Sequence, residues 1–174
     1  MRRRTLLASM FALGVLLLGG GVAIAAHCTA GVTCFGADGP DTLKGTNGND
    51  RISGQGGSDT LYGYAGDDVL LGDEQADTSR DRDDRLYDGP GADQTHGFGG
   101  SDLLVGGDGP DAIFAQDDVS LNPGQDTVNA GDGADTIFAN DGRKDTIDCG
   151  RGYDTVFFDR GKDVLANCEK KFAY

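Results

Sequence analysis

Aliphatic side chains recur along most of the chain at a fixed distance behind an aspartate. Asp41 is followed two residues later by Leu43, and the same pair returns nine residues further on as Asp50 and Ile52. A single apolar position between polar neighbours is typical of a very short strand, whose middle residue points inward while its neighbours point outward. The pattern therefore predicts a series of short strands, each beginning just after an aspartate.

The Asp-x-aliphatic unit occurs in thirteen repeats, and in eleven of them a glycine lies two residues before the aspartate. The aliphatic is missing only after Asp93, where Thr95 takes its place. Two insertions, within 72–83 and near 116–123, interrupt the nine-residue step. The repeats are marked by Asp41, Asp50, Asp59, Asp68, Asp84, Asp93, Asp102, Asp111, Asp126, Asp135, Asp145, Asp154 and Asp163.

A nonapeptide of this kind supplies one turn and one strand. Its first six residues are rich in glycine and can turn tightly, and the last three form the strand. Two repeats make one coil with a parallel strand on each side, and successive coils stack at ~4.8 Å. The expected fold is all-β: a parallel β-roll, or two-sheet β-solenoid, of about six and a half coils and roughly 30 Å length.

Composition agrees with a thin core and points to a cationic partner. The 174 residues include 30 Gly and no Trp, and the formal net charge is −14. Nearly all of the acids are Asp, the exceptions being Glu74 and Glu169, so the shorter side chain is selected for its geometry. Such a chain repels phosphates and anionic membranes, which argues against nucleic acid as a partner.

Stacking the coils brings the aspartates of alternate repeats into two rows, one on each edge. Carboxylates about 5 Å apart repel strongly. Either the pKa values of these groups rise, or a cation lies between neighbours. Hard oxygen ligands without His or Cys favour Ca²⁺, which takes about six to eight oxygens and tolerates irregular geometry, and tight glycine turns add backbone carbonyls.

Two nonapeptides carry a family resemblance, Gly54-Gln55-Gly56-Gly57-Ser58-Asp59-Thr60-Leu61-Tyr62 and Gly106-Gly107-Asp108-Gly109-Pro110-Asp111-Ala112-Ile113-Phe114. They resemble the repeat of the RTX, or haemolysin-type calcium-binding, family. The resemblance covers about residues 36–169. It implies a β-roll in which each Ca²⁺ lies between adjacent turns, held by the Asp at the sixth position and by loop carbonyls.

Some turns depart from this repeat. Glycine occupies the first position only before Asp41, Asp50, Asp59, Asp68, Asp102 and Asp111, and the fourth position lacks glycine before Asp84 and Asp145. Leaving out Asp145 and Asp163, the candidate calcium ligands are Asp41, Asp50, Asp59, Asp68, Asp84, Asp93, Asp102, Asp111, Asp126, Asp135 and Asp154.

The N-terminus reads as an export signal. Three arginines precede an apolar run from Leu6 to Leu18, and Ala23-Ile24-Ala25 suits a signal peptidase. The run is short for a membrane span. We therefore expect a secreted protein with a signal peptide at 1–25, an N-terminal cap at 26–35, the repeats at 36–169 and a tail at 170–174; the general secretory and twin-arginine routes both remain open.

An exported chain also suits disulfides. Grouping of the four cysteines suggests the pairs Cys28–Cys34 and Cys149–Cys168, one at each end of the stack. A zinc site is the competing interpretation, and it fails on spacing because no C-x2-C is present.

Three further functions are weaker alternatives. An outward row of Leu71, His96, Phe114, Phe138 and Phe157 predicts an aromatic ladder, or else a face for a partner, as in an adhesion module with structural Ca²⁺. Catalysis lacks a recognisable motif, so we expect no enzyme, and a hydrolase ranks below adhesion. An ice-binding face would need a regular threonine array, which Arg51, Arg85 and Leu103 interrupt.

Overall fold

The computed structural model describes residues 25–29, 33–73, 82–116 and 124–174. Within these ranges the chain forms seventeen strands and no helix. The strands are β1 (Ala25–His27), β2 (Thr33–Phe35), β3 (Thr42–Lys44), β4 (Arg51–Gln55), β5 (Thr60–Tyr62), β6 (Val69–Asp73), β7 (Arg85–Pro90), β8 (Gln94–His96), β9 (Leu103–Asp108), β10 (Ala112–Phe114), β11 (Thr127–Gly133), β12 (Thr136–Ala139), β13 (Thr146–Asp148), β14 (Arg151–Gly152), β15 (Thr155–Phe158), β16 (Val164–Ala166) and β17 (Lys170–Ala173).

The strands build two facing parallel sheets by alternating between them. One sheet has the order β1-β3-β5-β7-β9-β11-β13-β16, with β14 beside β11, and the other runs β17-β15-β12-β10-β8-β6-β4-β2. Each of the thirteen repeats contributes one strand. The β-roll expected from the sequence is confirmed, as a solenoid of about seven turns. Three further strands extend it: β1 and β2 form its first coil, and β17 lies in the predicted C-terminal tail.

The core is two rows of aliphatic side chains, one from each sheet. Every repeat places its middle strand residue inward, and the register aligns these residues between neighbouring coils, as with Leu43 and Leu61. Because each coil contributes only two such side chains, the core is thin and needs no large aromatic residue. The fully buried members are Leu43, Ile52, Leu61, Leu70, Leu86, Leu104, Ile113, Val128, Ile137, Ile147 and Val156, with Thr95 as the one polar exception.

The register continues across both insertions. β5 pairs with β7 so that Tyr62 faces Tyr87, although the first insertion lies between these strands in sequence. In the same way Phe114 of β10 faces Phe138 of β12 across the second. The predicted signal segment, apart from Ala25, and most of both insertions fall outside the described residues.

Both predicted disulfides are present, and they lie at opposite ends of the roll. Cys28 and Cys34 join the strands of the first coil, with their Cα atoms 5.5 Å apart. Cys149 and Cys168, with Cα atoms 5.1 Å apart, join the last two coils. No helix in the described part of the chain is long and apolar enough to cross a membrane.

An aromatic ladder covers part of the outer face of the second sheet. His96 stacks on Phe114 with ring centroids 4.2 Å apart, and Phe114 stacks on Phe138 at 4.8 Å. The row continues through Phe157 to Phe172 of β17, with each pair of rings nearly parallel. The ladder that the sequence predicts is therefore formed, and Phe172 adds a ring to it.

Candidate metal centre

Two rows of buried aspartates run along the edges of the roll, one at the end of each set of turns. Asp59, Asp145 and Asp154 have no exposed surface, and the other members of the rows are almost as deeply buried, apart from Asp163 at the C-terminal end. Each of these residues directly precedes a strand, so that the sheet register aligns the side chains from coil to coil. One row holds Asp41, Asp59, Asp84, Asp102, Asp126, Asp145 and Asp163, and the other holds Asp50, Asp68, Asp93, Asp111, Asp135 and Asp154.

Hydrogen bonds between coils hold each row together. The backbone N–H of Asp41 donates to Oδ1 of Asp59, one coil further on, at 2.7 Å. The same bond repeats along both rows, at 2.6–3.0 Å. The second row ends on Glu169, whose Oε2 accepts from the N–H of Asp154 at 3.0 Å. After the first aspartate of each row, one oxygen of every carboxylate is thereby used in joining coils, a role that the repeat pattern does not indicate.

The second carboxylate oxygen faces into the turn that precedes it. In the first turns this oxygen accepts a backbone hydrogen bond, from Ala37 to Asp41 and from Thr46 to Asp50, both at 2.6 Å. Further along, the corresponding oxygen is buried and has no hydrogen-bond partner among the described residues. This applies to Oδ2 of Asp59, Asp68, Asp84, Asp93, Asp111, Asp135 and Asp154. Such oxygens are costly to bury unless a proton or a cation compensates them.

A glycine at the first position of the turn leaves space beside this oxygen. A Cβ atom on Gly54 would lie 2.2 Å from Oδ2 of Asp59 and 2.5 Å from the carbonyl oxygen of Gly72 in the next coil. Gly63 has the same relation to Asp68 Oδ2, at 2.4 Å, and to the Asp88 carbonyl, at 2.6 Å. A carboxylate oxygen and a carbonyl oxygen therefore converge over a backbone that only glycine can supply without steric conflict.

The residue at the first position of the turn differs along the roll, and the prediction of which turns have glycine there needs one correction. Gly72 is the first residue of the turn of Asp84, because the first insertion falls inside that turn. A Cβ atom on Gly72 would lie 2.4 Å from Asp84 Oδ2. Glycine is thus present in seven turns, one more than the spacing indicates. In the later turns larger residues fill the space: Ala115, Ala130, Ala139, Cys149 and Phe158.

A second glycine lets the turns stack in contact. Gly57 has a φ of 127° and Gly109 one of 126°, in the region that side chains other than glycine rarely adopt. A Cβ on Gly109 would approach the carbonyl oxygen of Gly91 in the preceding coil to 1.7 Å. The fourth position of the repeat is therefore glycine because backbone lies directly against backbone.

Burial shifts the titration of the carboxylates. Removal from water raises the pKa of Asp84 to about 9 and that of Asp111 to about 7. Burial likewise raises the pKa of Asp59, Asp93 and Asp135 to about 6 in each case. Hydrogen bonds from the neighbouring coil oppose these shifts and neighbouring carboxylates add to them. The ion-free fold thus holds its aspartates in a state that favours protonation.

The donor set suits a hard cation. Among the described residues no three acidic, histidine or cysteine side chains converge into a group that could hold a metal ion. The row aspartates instead come one per turn, and in the turns that begin with Gly54, Gly63 and Gly106 a carbonyl oxygen of the next coil lies beside the carboxylate. An ion in the rows would therefore take its ligands from a carboxylate together with main-chain oxygens. All of these donors are oxygen, as Ca²⁺ prefers. The buried oxygens without a partner and the spaces that glycine leaves fit such an ion.

A family model that describes the RTX calcium-binding nonapeptide repeat matches residues 35–70, 44–78, 80–113, 96–119 and 120–156 of the sequence. These segments cover well over half of the chain. The protein belongs to the RTX calcium-binding repeat family. No curated protein matches it. Calcium binding is the function that RTX repeats in a β-roll indicate.

Two buried acids of this RTX roll lie outside the repeat pattern. Asp73 follows Gly72 in β6, and its Oδ2 accepts from the backbone N–H of Arg82 at 3.2 Å. Asp88 lies in β7, where it occupies the first position of the turn of Asp93. The repeat pattern gives neither residue a role. Asp88 stands where the regular repeat has glycine, five residues before the repeat aspartate, so its position in the pattern is the signal that could have found it.

Proposed function

We propose that this RTX protein is a secreted, non-enzymatic calcium-binding β-roll whose folding is coupled to ion uptake. The observation that carries the proposal is the series of buried carboxylate oxygens that have no hydrogen-bond partner among the described residues. In four of these turns, those of Asp59, Asp68, Asp84 and Asp111, a carbonyl oxygen of the next coil lies beside the carboxylate. Binding of an ion that these oxygens select stabilises only the folded roll, because the unfolded chain does not bring the coils together.

The proposed ligands are the repeat aspartates that the sequence indicates: Asp41, Asp50, Asp59, Asp68, Asp84, Asp93, Asp102, Asp111, Asp126, Asp135 and Asp154. Each would act with backbone carbonyls of its own turn and of the next coil. Glycine at the first position leaves space beside the carboxylate, so we place stronger sites in those turns than in turns where a side chain without a ligand oxygen fills the space. In the turns of Asp126, Asp135 and Asp154 this space is filled by Ala115, Ala130 and Cys149.

Two features of the chain support secretion. The arginine-led apolar segment at 1–25 has the composition of a signal peptide, and the two disulfides suit an oxidising compartment. Extracellular fluids supply millimolar Ca²⁺, at which weak sites fill, whereas ion-free carboxylates repel before export.

A non-catalytic role is supported by the regular spacing of the acids, since a general acid–base pair needs two carboxylates in unequal surroundings.

Titration of the mature protein with Ca²⁺, followed by circular dichroism and calorimetry, tests the proposal. We expect the chelated protein to be only marginally stable and to show a reduced β-roll spectrum, which rises cooperatively to its full intensity as Ca²⁺ is added. Mg²⁺ at equal concentration is the control, because its stricter octahedral geometry suits these irregular oxygen sets less well. A chelated protein that keeps the complete β-roll spectrum and the same thermal stability would contradict the coupling.

A further inference from the structure

Asp88 is an acidic side chain in a row of residues that are otherwise small or disulfide-bonded. Four residues after each repeat aspartate of the first sheet the chain has Gly45, Gly63, Asp88, Gly106, Ala130 and Cys149, stacked one per coil. A side chain at this position points into the roll: a Cβ on Gly45 would lie 3.2 Å from Cδ1 of Ile52 in the core. Asp88 accordingly has no exposed surface.

The single polar residue of the core rows is the partner of Asp88. Thr95 replaces the aliphatic of its repeat and is fully buried between Leu70 and Ile113 of the neighbouring coils. Its hydroxyl donates a hydrogen bond to Oδ1 of Asp88. The two departures from the repeat pattern are therefore one feature, located in the middle of the stack.

Asp88 has further buried acids as its electrostatic neighbours. Oδ2 of Asp88 is buried and has no hydrogen-bond partner among the described residues. Its electrostatic neighbours include Asp93, Asp111 and Asp68, three members of one row, and each of them also has a buried Oδ2 without a partner. The arrangement is a concentration of negative charge that a cation would stabilise.

Asp88 can offer oxygens to two successive turns. Its main-chain carbonyl lies 2.6 Å from the point that a Cβ on Gly63 would occupy, and Oδ2 of Asp68 is 2.4 Å from the same point. Its side chain starts at the equivalent place in the next turn, five residues before Asp93. The other residues of this row can supply only the carbonyl.

We propose that Asp88 is an additional calcium ligand, outside the repeat motif, that acts with Asp93 and makes this central turn the tightest ion site of the roll. The assignment rests on the proposed function, because it assumes that the rows bind Ca²⁺. Ligand charge is one of the properties that set calcium affinity in proteins, and Asp88 adds a carboxylate where the other turns have none. Thr95 holds that carboxylate in place through Oδ1 and leaves Oδ2 for the ion.

Calcium isotherms of the mature protein, with the bound ions counted by native mass spectrometry, test this assignment. We expect the wild type to fill one site at least ten-fold more tightly than the rest. Asp88→Asn keeps the size of the side chain and an oxygen for Thr95 but removes the charge, so it should lose the tight phase and leave the weaker ones unchanged. Asp108→Asn, at an exposed position, is the matched control and should titrate as the wild type does.

A second variant distinguishes the loss of a calcium ligand from a folding defect. Asp88→Gly with Thr95→Ile gives the central turn the residues of its neighbours, so it is expected to fold at saturating Ca²⁺ and to lack the tight phase. A tight phase that survives in this variant and in Asp88→Asn would overturn the assignment while leaving the proposed function in place. Uniform affinity in the wild type would also overturn it, and a wild type that takes up no Ca²⁺ would overturn both.

Discussion

Oδ1 of Asp59 accepts a hydrogen bond from the backbone N–H of Asp41 at 2.7 Å, so that one side chain joins two coils of the roll. The other oxygen of the same carboxylate, Oδ2, is buried and finds no hydrogen-bond partner in the described part of the chain. The residue therefore has two separable roles: an uncharged acceptor suffices to join the coils, whereas attraction of a cation needs the carboxylate charge.

Substitution of Asp59 separates these roles. Asp59→Asn retains an acceptor for the Asp41 N–H but no charge, so we expect weaker Ca²⁺ binding and, at pH 8 without Ca²⁺, a stability equal to or above that of the wild type. Asp59→Ala also leaves the buried N–H without its acceptor, which costs about 1–3 kcal/mol. Urea unfolding with and without Ca²⁺ measures both effects. Equal losses for Asn and Ala in the ion-free protein would contradict this division.

The space that glycine leaves at the first position predicts a steric effect on ion binding. In Gly54→Ala the new Cβ would lie 2.2 Å from Asp59 Oδ2 and 2.5 Å from the Gly72 carbonyl, so the turn must shift and separate these oxygens. We expect about 1–3 kcal/mol of destabilisation and the loss of one Ca²⁺. Gly48→Ala is the control, because among the residues that the structure describes its Cβ would meet nothing closer than Thr46 Oγ1 at 3.9 Å. If both variants bind the wild-type number of ions, the space beside Gly54 has no role in ion binding.

The stability of the ion-free protein should decrease as the pH rises. In the folded chain burial raises the pKa of Asp59 to about 6, of Asp111 to about 7 and of Asp84 to about 9, all from 3.8. Between 3.8 and these values the folded state holds more protons than the unfolded state, so the free energy of unfolding falls with increasing pH. The stabilisation is complete near pH 4 and is lost by about pH 9.

Thermal unfolding in buffers stripped of divalent ions, at pH 4.5 and pH 8, measures this dependence. The midpoint should be higher at pH 4.5. Ca²⁺ should reverse the order, because it replaces the proton as the compensating charge at pH 8 and competes poorly with protons at pH 4.5. An ion-free protein that is more stable at pH 8 than at pH 4.5 would show that the buried carboxylates are compensated by other means.

The nine-residue spacing was sufficient to predict the roll, both aspartate rows and the inward aliphatics, because each depends on a local pattern repeated in register. The same spacing could not give the hydrogen bond from Asp41 to Asp59, which depends on where the carboxylate points within the turn. It also misassigned Gly72, since counting back five residues from Asp84 fails when an insertion falls inside the turn.

Features that depend on three-dimensional neighbours were harder to recognise. Thr95 reads in sequence as a poor match to the aliphatic position, and Asp88 reads as one more acid in an acidic chain. Only the contact between them shows that the two deviations compensate each other. Similarly, Phe172 belongs to no repeat, so the repeat pattern does not predict its position. It extends the aromatic ladder because β17 adds a strand beyond the last repeat.

The aromatic ladder should contribute to stability independently of calcium. Phe138 stacks on Phe114 at 4.8 Å and on Phe157 at 4.9 Å, with interplanar angles of 8° and 2°. Each such ring pair contributes about 0.5–1.5 kcal/mol beyond its buried area, so Phe138→Ala should lose at least about 1–3 kcal/mol. Urea unfolding at saturating Ca²⁺ measures the loss, and the number of bound ions should stay the same.

Tyr153→Ala provides the matched comparison for the ladder, because Tyr153 is 69% exposed. We expect this variant to be nearly as stable as the wild type. Since the stacked rings cover each other's faces, the stability lost in Phe138→Ala should be the same at all protein concentrations. A loss that appears only at concentrations where the wild type associates would instead identify the row as a contact face for a second molecule.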